Sequence, residues 1–249
     1  MKKFTIAILI IAIIACSAFT LVACGDKADY KVGISQYLEH KSLEAAQNGF
    51  KEELTRLMAE KGKTVSFEIK NAGSDAGTNS IIANTLTSKK FDLLLGISTA
   101  SAQALQGQTK KVPVLFTAVT DPVGAKLVGS QTDPTLNENV TGTSDVGDSK
   151  KQIELIKMLL PARQSIKLGI LYTLTEINSQ VQYKEMKAAA MADTERSISV
   201  VEKTINNLEE VGAAMAALND CDIIYIPTDN KLAAAMPNVK GANVNKKPI

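Results

Sequence analysis

The feature of this sequence that most constrains its fold is the regular alternation of short apolar runs with longer segments of helical periodicity. Apolar runs of strand length recur along the chain, and most are followed by a segment in which apolar residues return every three or four positions. Because parallel strands are joined through crossover connections, usually helices, this alternation predicts an α/β fold with parallel sheets and helices on both faces. The predicted strands lie at residues 30–36, 65–69, 91–97, 112–116, 166–172, 198–204 and 222–226.

The stretch at residues 112–145 interrupts this alternation. It starts with an apolar run fit for a buried strand, then continues for more than twenty residues rich in Thr, Asp, Gly, Asn and Pro. Such a long loop is uncommon inside a compact domain and is more often functional. We predict two lobes, at residues 30–118 and 146–249, joined by an interlobe connection at 119–145, with a small polar ligand in the cleft between them. The alternative is a plain surface loop with Asp and Pro turn chemistry.

The first residues have the pattern of an export signal. Lys2 and Lys3 precede an apolar run that carries no charge before Asp26, and the run ends in Leu-Val-Ala-Cys24, which matches the bacterial lipobox. The pattern predicts a signal peptide at residues 1–23, a linker at 24–29 and a Cys24 that carries the acyl chains holding the protein to the membrane. An uncleaved anchor helix is the alternative. Both interpretations place the remainder at the extracytoplasmic face of the cell membrane.

Composition excludes several classes of partner. The chain has 28 Lys and Arg against 26 Asp and Glu, and the excess comes from Lys2 and Lys3, so nothing indicates a nucleic-acid partner. With Cys16 in the signal and Cys24 acylated, only Cys221 remains, which leaves no intrachain disulfide and no cysteine metal site. Neither a dinucleotide-binding nor a phosphate-binding glycine loop is present, so we expect no cofactor.

Polar residues follow the predicted strands, where ligands bind in parallel α/β sheets. Their side chains are hydroxyls, amides and a few carboxylates: Ser35, Gln36, Ser98, Thr99, Thr120, Asp121, Glu176, Asn178, Ser179, Thr228, Asp229 and Asn230. Ala100 follows Thr99 at the same strand end and offers its backbone N–H. Backbone N–H groups at residues 99–101 suit a carboxylate, and Asp121, Asp145 or Asp229 suits an ammonium. Together these groups indicate a zwitterion, an amino acid. Helix capping is the alternative role for Ser98, Asn178 and Asp229.

Six segments, taken in order, resemble one family. VGISQ, GISTASAQAL, FTAVTDPVGAKLV, NVTGTSD, ILYTLTEINS and YIPTDN are similar to the substrate-binding lipoproteins of ABC importers, above all the tryptophan/tyrosine-binding subgroup. The resemblance runs from Tyr30 to the end of the chain. It implies a type I periplasmic-binding-protein fold, in which two Rossmann-like lobes close on an amino acid, and delivery of that ligand to a membrane permease driven by a cytoplasmic ATPase.

The resemblance also implies which residues face the ligand. An aromatic ligand would stack on Tyr37 or Tyr172, although both also suit packing roles. The ligand-facing set carried over by matching position is Ser35, Gln36, Ser98, Thr99, Ala100, Thr120, Asp121, Ser144, Asp145, Asn178, Asp229 and Asn230.

The C-terminal residues depart from the family pattern. Family members continue well past the segment that matches residues 243–249, and Lys247-Pro248-Ile249 resembles the start of a further strand. The second lobe and the segments that return to the first lobe are therefore expected to be incomplete, with a sheet edge left exposed. A fragment, a frameshifted gene and a functional short form are equally compatible with this pattern.

Two other functions remain open at this point. Gly96-Ile-Ser98-Thr-Ala100 approaches the nucleophile elbow of a serine hydrolase, but Ala100 replaces the second glycine, and His40 is the sole candidate base. A lone histidine before a helix is more often a surface residue, so we expect no enzyme. The second alternative is a sensor, or a non-functional truncated lipoprotein, with the same fold.

Overall fold

The computed structural model describes residues 28–249. The predicted signal peptide and Cys24 lie outside the described residues. Within residues 28–249, no helix has both the length and the apolar character needed to span a bilayer. The strands are β1 (Tyr30–Gln36), β2 (Val65–Asn71), β3 (Leu93–Ile97), β4 (Val114–Val119), β5 (Val140–Ser144), β6 (Ser165–Thr173), β7 (Ser197–Ile205) and β8 (Ile223–Tyr225). The helices are α1 (Lys41–Glu60), α2 (Ala76–Ser88), α3 (Thr99–Gln108), α4 (Ser149–Leu159), α5 (Ile177–Ala192), α6 (Val211–Ala216), α7 (Asn230–Ala234) and α8 (Met236–Ala242).

The first lobe is built on a five-stranded parallel sheet in the order β2-β1-β3-β4-β5. Its central strands are nearly continuous apolar runs because helices cover both faces. On one face Ile34 and Leu95 pack against Leu43 of α1, and on the other face Leu94 packs against Leu86 of α2. The parallel sheet predicted from the alternation is therefore confirmed.

The second lobe is built on a three-stranded parallel sheet in the order β7-β6-β8. Ile170 of β6 and Met186 of α5 belong to the core on one face, and Leu171 and Met215 of α6 to the core on the other. Residues 208–216 form a 3₁₀ turn (Leu208–Glu210) followed by the short α6. The two predicted sheets are thus present in the predicted order along the chain.

The interlobe connection expected at residues 119–145 requires a correction. β5 lies within it and pairs in parallel with β4, with Val140 opposite Val114 and a register shift between Phe116 and Val119. The polar segment therefore returns to the first lobe. The chain crosses to the second lobe between β5 and α4, at residues 145–148, which we call the crossing segment. Residues 141–144 of β5 are exposed, so this edge strand has no apolar alternation by which the sequence could reveal it.

The last residues lie along β8. The carbonyl of Pro248 accepts a hydrogen bond of 2.9 Å from the N–H of Ile224. Since β6 occupies the other side of β8, Pro248 lies at the free edge of this sheet. Residues 247–249 form no regular strand themselves, so the expectation that they begin one stays a prediction.

Gly96 sets the approach of α3 to the first sheet. A Cβ atom at Gly96 would lie 2.6 Å from Cα and 2.7 Å from N of Ala102, both backbone atoms that cannot move aside. The absence of a side chain lets the first turn of α3 pack directly against the end of β3. We expect Gly96→Ala to lower the free energy of unfolding by about 1–3 kcal/mol, the usual effect of overpacking.

Urea denaturation of the two proteins measures this difference. Gly107→Ala is the matched control, since nothing lies within 4 Å of the added Cβ in the same helix. Alanine there should raise stability by up to about 1 kcal/mol because of its higher helix propensity. Equal stability of Gly96→Ala and the wild type would contradict the proposed packing.

Candidate functional site

The carboxyl ends of the strands in the two lobes face each other across a cleft. The cleft holds a cavity of about 370 Å³, a volume within the range of small-molecule sites. We call it the cleft cavity. Its walls are Tyr37, Ser74, Ala76, Thr99, Ala100 and Gln103 from the first lobe and Thr175, Glu176, Ile177, Asn178, Asn230 and Lys231 from the second.

A second cavity, of about 610 Å³, lies between the lobes near the crossing segment. We call it the crossover cavity. Its apolar wall includes Leu43 of α1, Ile226 after β8 and Met236 of α8, and Ile249 borders it. It lies beside the free edge of β8, to which Pro248 bonds, and its wall is mainly apolar, whereas a site for a small polar solute needs a few convergent polar groups. We therefore consider the smaller cleft cavity as the candidate ligand site.

The first lobe presents the N-terminus of α3 to the cleft cavity. Ser98 occupies the N-cap position with φ of 87° and makes no side-chain hydrogen bond to the helix. The first N–H groups of the helix are thus left without a side-chain cap, and Thr99 and Ala100 line the cavity. Such a helix end attracts anions through its N–H groups and its dipole. Of the three residues predicted to hold a carboxylate, Thr99 and Ala100 line the cavity and Ser101 is buried, and carboxylate binding here stays a prediction.

The second lobe presents the carboxylate of Glu176, which is buried with only 7% exposure. Its Oε2 atom accepts from the backbone N–H of Asn230 at 2.9 Å and from the Asn178 amide at 3.2 Å. Its Oε1 atom accepts from the N–H of Lys231 at 3.0 Å. None of the ion pairs formed within residues 28–249 involves Glu176. A carboxylate without a cationic partner therefore lines the cavity.

Burial raises the pKa of the Glu176 carboxyl group, and the nearby negative charge of Asp229 raises it further. Both effects disfavour the ionised form, while these three donors and the side-chain amide of Asn230, which donates to Oε2 at 2.9 Å, favour it. A ligand ammonium near Glu176 would lower the free energy required to keep the buried carboxylate ionised. The sequence placed Glu176 among the polar residues that follow the predicted strands, but the ligand-facing set did not include it.

Tyr37 is the aromatic side chain on the cavity wall. Its hydroxyl group donates to the carbonyl of Ser74 at 3.0 Å, which fixes the ring, and its phenol pKa is raised by burial and by the charges of Glu176 and Asp75. Tyr172, the other candidate for stacking, packs instead on Tyr183, with ring centroids 4.8 Å apart. The structure thus places one of the two predicted aromatic residues in the cavity.

The predicted site residues separate into groups. Thr99, Ala100, Asn178 and Asn230 line the cleft cavity, and Asp145, Asp229 and again Asn230 line the crossover cavity. The others line neither cavity, and four of them are buried in the first lobe: Ser35, Gln36, Ser98 and Thr120. Asp121 accepts from the N–H of Gly124 at 2.8 Å and closes a turn, and the hydroxyl of Ser144 donates to the carbonyl of Thr120 at 2.8 Å.

The three aspartates expected to hold an ammonium therefore do not line the cleft cavity. Asp229 caps α7 by accepting from Leu232 N–H at 2.9 Å, and both of its oxygens also accept from Thr173. Asp145 accepts from the Thr120 hydroxyl at 2.9 Å, and burial raises its pKa. Strand-end position alone did not distinguish these three aspartates from Glu176, which also follows a strand.

The fold and the cleft define a two-lobed binding protein of the type I periplasmic-binding-protein class. Residues 31–249 match the family model for ABC transporter substrate binding proteins, and the chain belongs to that family. It is 40% identical over 225 residues to the tyrosine-binding protein of Clostridioides difficile (strain R20291), a match that covers 90% of this chain. The chain spans 63% of the length of that relative.

Two solved structures of related proteins differ in how closely they superpose. An ABC domain from Streptococcus pneumonia in complex with L-Trp has a TM-score of 0.78 at 32% identity, covering 89% of this chain and 73% of its own. The ligand-free, open structure of a substrate binding protein with adhesive properties from Clostridium difficile has a TM-score of 0.62 at 38% identity. This match covers 86% of this chain and 70% of the Clostridium difficile chain. The chain is thus more similar in structure to the L-Trp complex, although more similar in sequence to the open protein.

The electrostatic environment of Glu176 predicts a specific pH dependence of stability. Its pKa is raised in the folded state, so its destabilising contribution is absent below the unfolded pKa, develops as pH rises from the unfolded to the folded pKa, and is complete above the folded pKa. The stability of the wild type should therefore fall relative to that of Glu176→Gln as pH rises from about 4 towards neutrality. Urea denaturation at a series of pH values measures this difference.

Asp29 provides a comparison of opposite sign. Hydrogen bonds from Thr64 and Lys63 lower its pKa to about 2, so its stabilising contribution is present at neutral pH and is lost on acidification. The wild type should gain stability relative to Asp29→Asn as pH rises. Parallel pH profiles for the wild type and Glu176→Gln would contradict the assignment of an electrostatic cost to Glu176.

Proposed function

We propose that this chain is the extracytoplasmic solute-binding component of an ABC importer and binds an aromatic amino acid in the cleft cavity. The observation that carries the proposal is the pairing of an uncapped helix N-terminus with an unneutralised buried carboxylate on opposite walls of one cavity. The helix N-terminus attracts a negative charge and the carboxylate attracts a positive charge, and a zwitterion carries one of each. The proposed role is binding and release, without a chemical step.

The α-carboxylate of the ligand binds at the N-terminus of α3. The N–H groups of Thr99 and Ala100 donate to it, and the dipole of the helix, ten residues long, adds to the attraction. No cationic side chain is required on this wall. A ligand without a carboxylate loses this interaction entirely.

The α-ammonium group of the ligand binds to Glu176 from the second lobe. The Glu176 carboxylate already accepts from backbone and amide donors, which hold it in place, and the ammonium supplies the missing positive charge. A charge-assisted hydrogen bond in a buried site is stronger than one between neutral groups. Because the carboxylate and ammonium bind to different lobes, the ligand links the lobes.

The side chain of the ligand packs on Tyr37. An aromatic ring packed on the Tyr37 ring contributes about 0.5–1.5 kcal/mol of binding free energy in addition to that from buried area. The names of the relatives agree with this preference, since one is a tyrosine-binding protein and another was crystallised with L-Trp. We therefore infer that tyrosine or tryptophan is the ligand.

Anchoring and delivery complete the proposed function. The Leu-Val-Ala-Cys24 motif supports a lipid anchor at Cys24, and the membrane permease of the importer is the expected partner. A tethered receptor stays close to its permease, so that the ligand does not have to be captured again from solution. A sensor with the same fold would bind the ligand without a permease.

Amino-acid binding is tested by thermal unfolding of the chain from residue 24, with Cys24→Ser, in the presence of single amino acids. Tyrosine or tryptophan should raise Tm, with a stabilisation of RT ln(1 + [L]/Kd), about 2.7 kcal/mol at 100 times Kd. Tyramine, which lacks the carboxylate, and N-acetyltyrosine, which lacks the ammonium, should give no shift. An absence of any shift with all amino acids would contradict the proposed function.

Two variants test the assignment of the ammonium site. Glu176→Gln should weaken binding at least tenfold, about 1.4 kcal/mol, because it removes the negative charge and replaces one acceptor with a donor. Asp121→Asn removes a charge while keeping the oxygen that closes the Gly124 turn, and it should leave affinity unchanged. If Asp121→Asn abolished binding and Glu176→Gln did not, the sequence-based choice of Asp121 would be the correct one.

Lipid attachment is tested by metabolic labelling with palmitate in a bacterial host. The wild type should incorporate the label and appear in the membrane fraction, whereas Cys24→Ser should do neither, because the thiol that accepts the lipid is missing. Cys16→Ser is the matched control and should retain both properties. Labelling of Cys24→Ser would contradict the assignment of Cys24.

A further inference from the structure

One side-chain hydrogen bond joins the two lobes within residues 28–249. It connects Nε2 of His40, between β1 and α1, with Oδ1 of Asn230, the first residue of α7, at 3.5 Å. The other side-chain hydrogen bonds and the ion pairs of the described residues join groups within a lobe or within the crossing segment. His40 is also the single histidine of the chain.

The imidazole of His40 has no part in starting α1. The His40 residue occupies the N-cap position of that helix, but the cap is its backbone carbonyl, which accepts from Glu44 N–H at 3.0 Å. No side-chain cap is formed. The ring is therefore available for the contact with Asn230, and replacing it leaves the helix start intact.

The orientation of the Asn230 amide follows from its other partner. Its Nδ2 atom donates to Oε2 of Glu176 at 2.9 Å, and an ionised carboxylate only accepts hydrogen bonds. Oδ1 must then face His40, so His40 donates from Nε2. The contact thus requires a proton on Nε2 of His40.

Asn230 connects this interlobe contact to the ligand site. It is buried, with 8% exposure, and it lines both the cleft cavity and the crossover cavity. Through its backbone N–H and its amide it makes two of the hydrogen bonds that hold Oε2 of Glu176. A displacement of Asn230 towards or away from the first lobe therefore moves donors that hold Glu176.

We propose that His40 is a positioning residue for ligand binding: it holds Asn230 from the opposite lobe, and so couples closure of the cleft to the placement of Glu176. This inference rests on the proposed amino-acid site. At 3.5 Å the contact is long, and the proposal requires that it shorten when the ligand draws the lobes together. His40 itself does not contact the ligand.

A double-mutant cycle between His40 and Asn230 tests the proposal, with tyrosine and tryptophan titrated calorimetrically into the chain from residue 24 (Cys24→Ser). His40→Ala should weaken binding of the preferred amino acid about three- to tenfold, the effect of one hydrogen bond. In an Asn230→Ala background, His40→Ala should have no further effect, because the partner is gone. Unchanged Tm of the unliganded variants shows that the fold is preserved.

His40→Gln and Lys41→Ala serve as controls. Glutamine carries an N–H donor at a similar reach, so His40→Gln should restore affinity to within about twofold of the wild type. Lys41 is the exposed neighbour of His40 at the start of α1, and Lys41→Ala should bind as the wild type does. A merely structural role of the ring would not be rescued by glutamine.

Small-angle X-ray scattering gives a second readout. Ligand should reduce the radius of gyration of the wild type and of His40→Gln, and His40→Ala should require a higher ligand concentration for the same reduction. Wild-type affinity of His40→Ala, or an undiminished effect of His40→Ala in the Asn230→Ala background, would overturn the role of His40 while leaving the amino-acid site in place. Failure of the wild type to bind any amino acid would overturn both proposals.

Discussion

The arrangement of the cleft depends on one buried carboxylate, that of Glu176. It joins the segment after β6 to the start of α7 through the N–H groups of Asn230 and Lys231, and it joins α5 through the amide of Asn178. Ionised carboxylates lose much of their hydration on burial and persist only where donors or cations compensate. In this chain donors supply part of the compensation, and the unbalanced charge faces a cavity of suitable size for a ligand.

The two interlobe cavities illustrate why size alone does not identify a binding site. The crossover cavity is larger, but its wall is mainly apolar and follows the free edge of β8, to which Pro248 already bonds. The cleft cavity is smaller, yet a helix N-terminus, a buried carboxylate and an aromatic ring converge on it. Specificity for a small polar solute comes from a few precisely placed polar groups within a shaped cavity. The cleft cavity has these groups.

Sequence reasoning recovered the strands wherever a strand was buried on both faces. β3 carries an unbroken apolar run and β6 carries one at residues 168–172, and the positions of both strands could be predicted to within a few residues. β5 was missed because exposed polar residues make up most of an edge strand whose partner is β4. Among site residues, the helix N-terminus at Thr99 and Ala100 could be anticipated from a polar sequence after an apolar run, whereas Glu176 was passed over in favour of three aspartates.

The sequence by itself determined the fold class, the order of the buried strands and the family, because these depend on periodic burial of apolar residues and on short segments read along one chain. Only the tertiary structure decided which strand-end groups meet. Asp229 and Glu176 both follow strands, but Asp229 is directed into the cap of α7 and Glu176 to the cavity wall. That difference arises from packing between segments more than fifty residues apart, as in the contact of Glu176 with Asn230, and local sequence does not encode such distances.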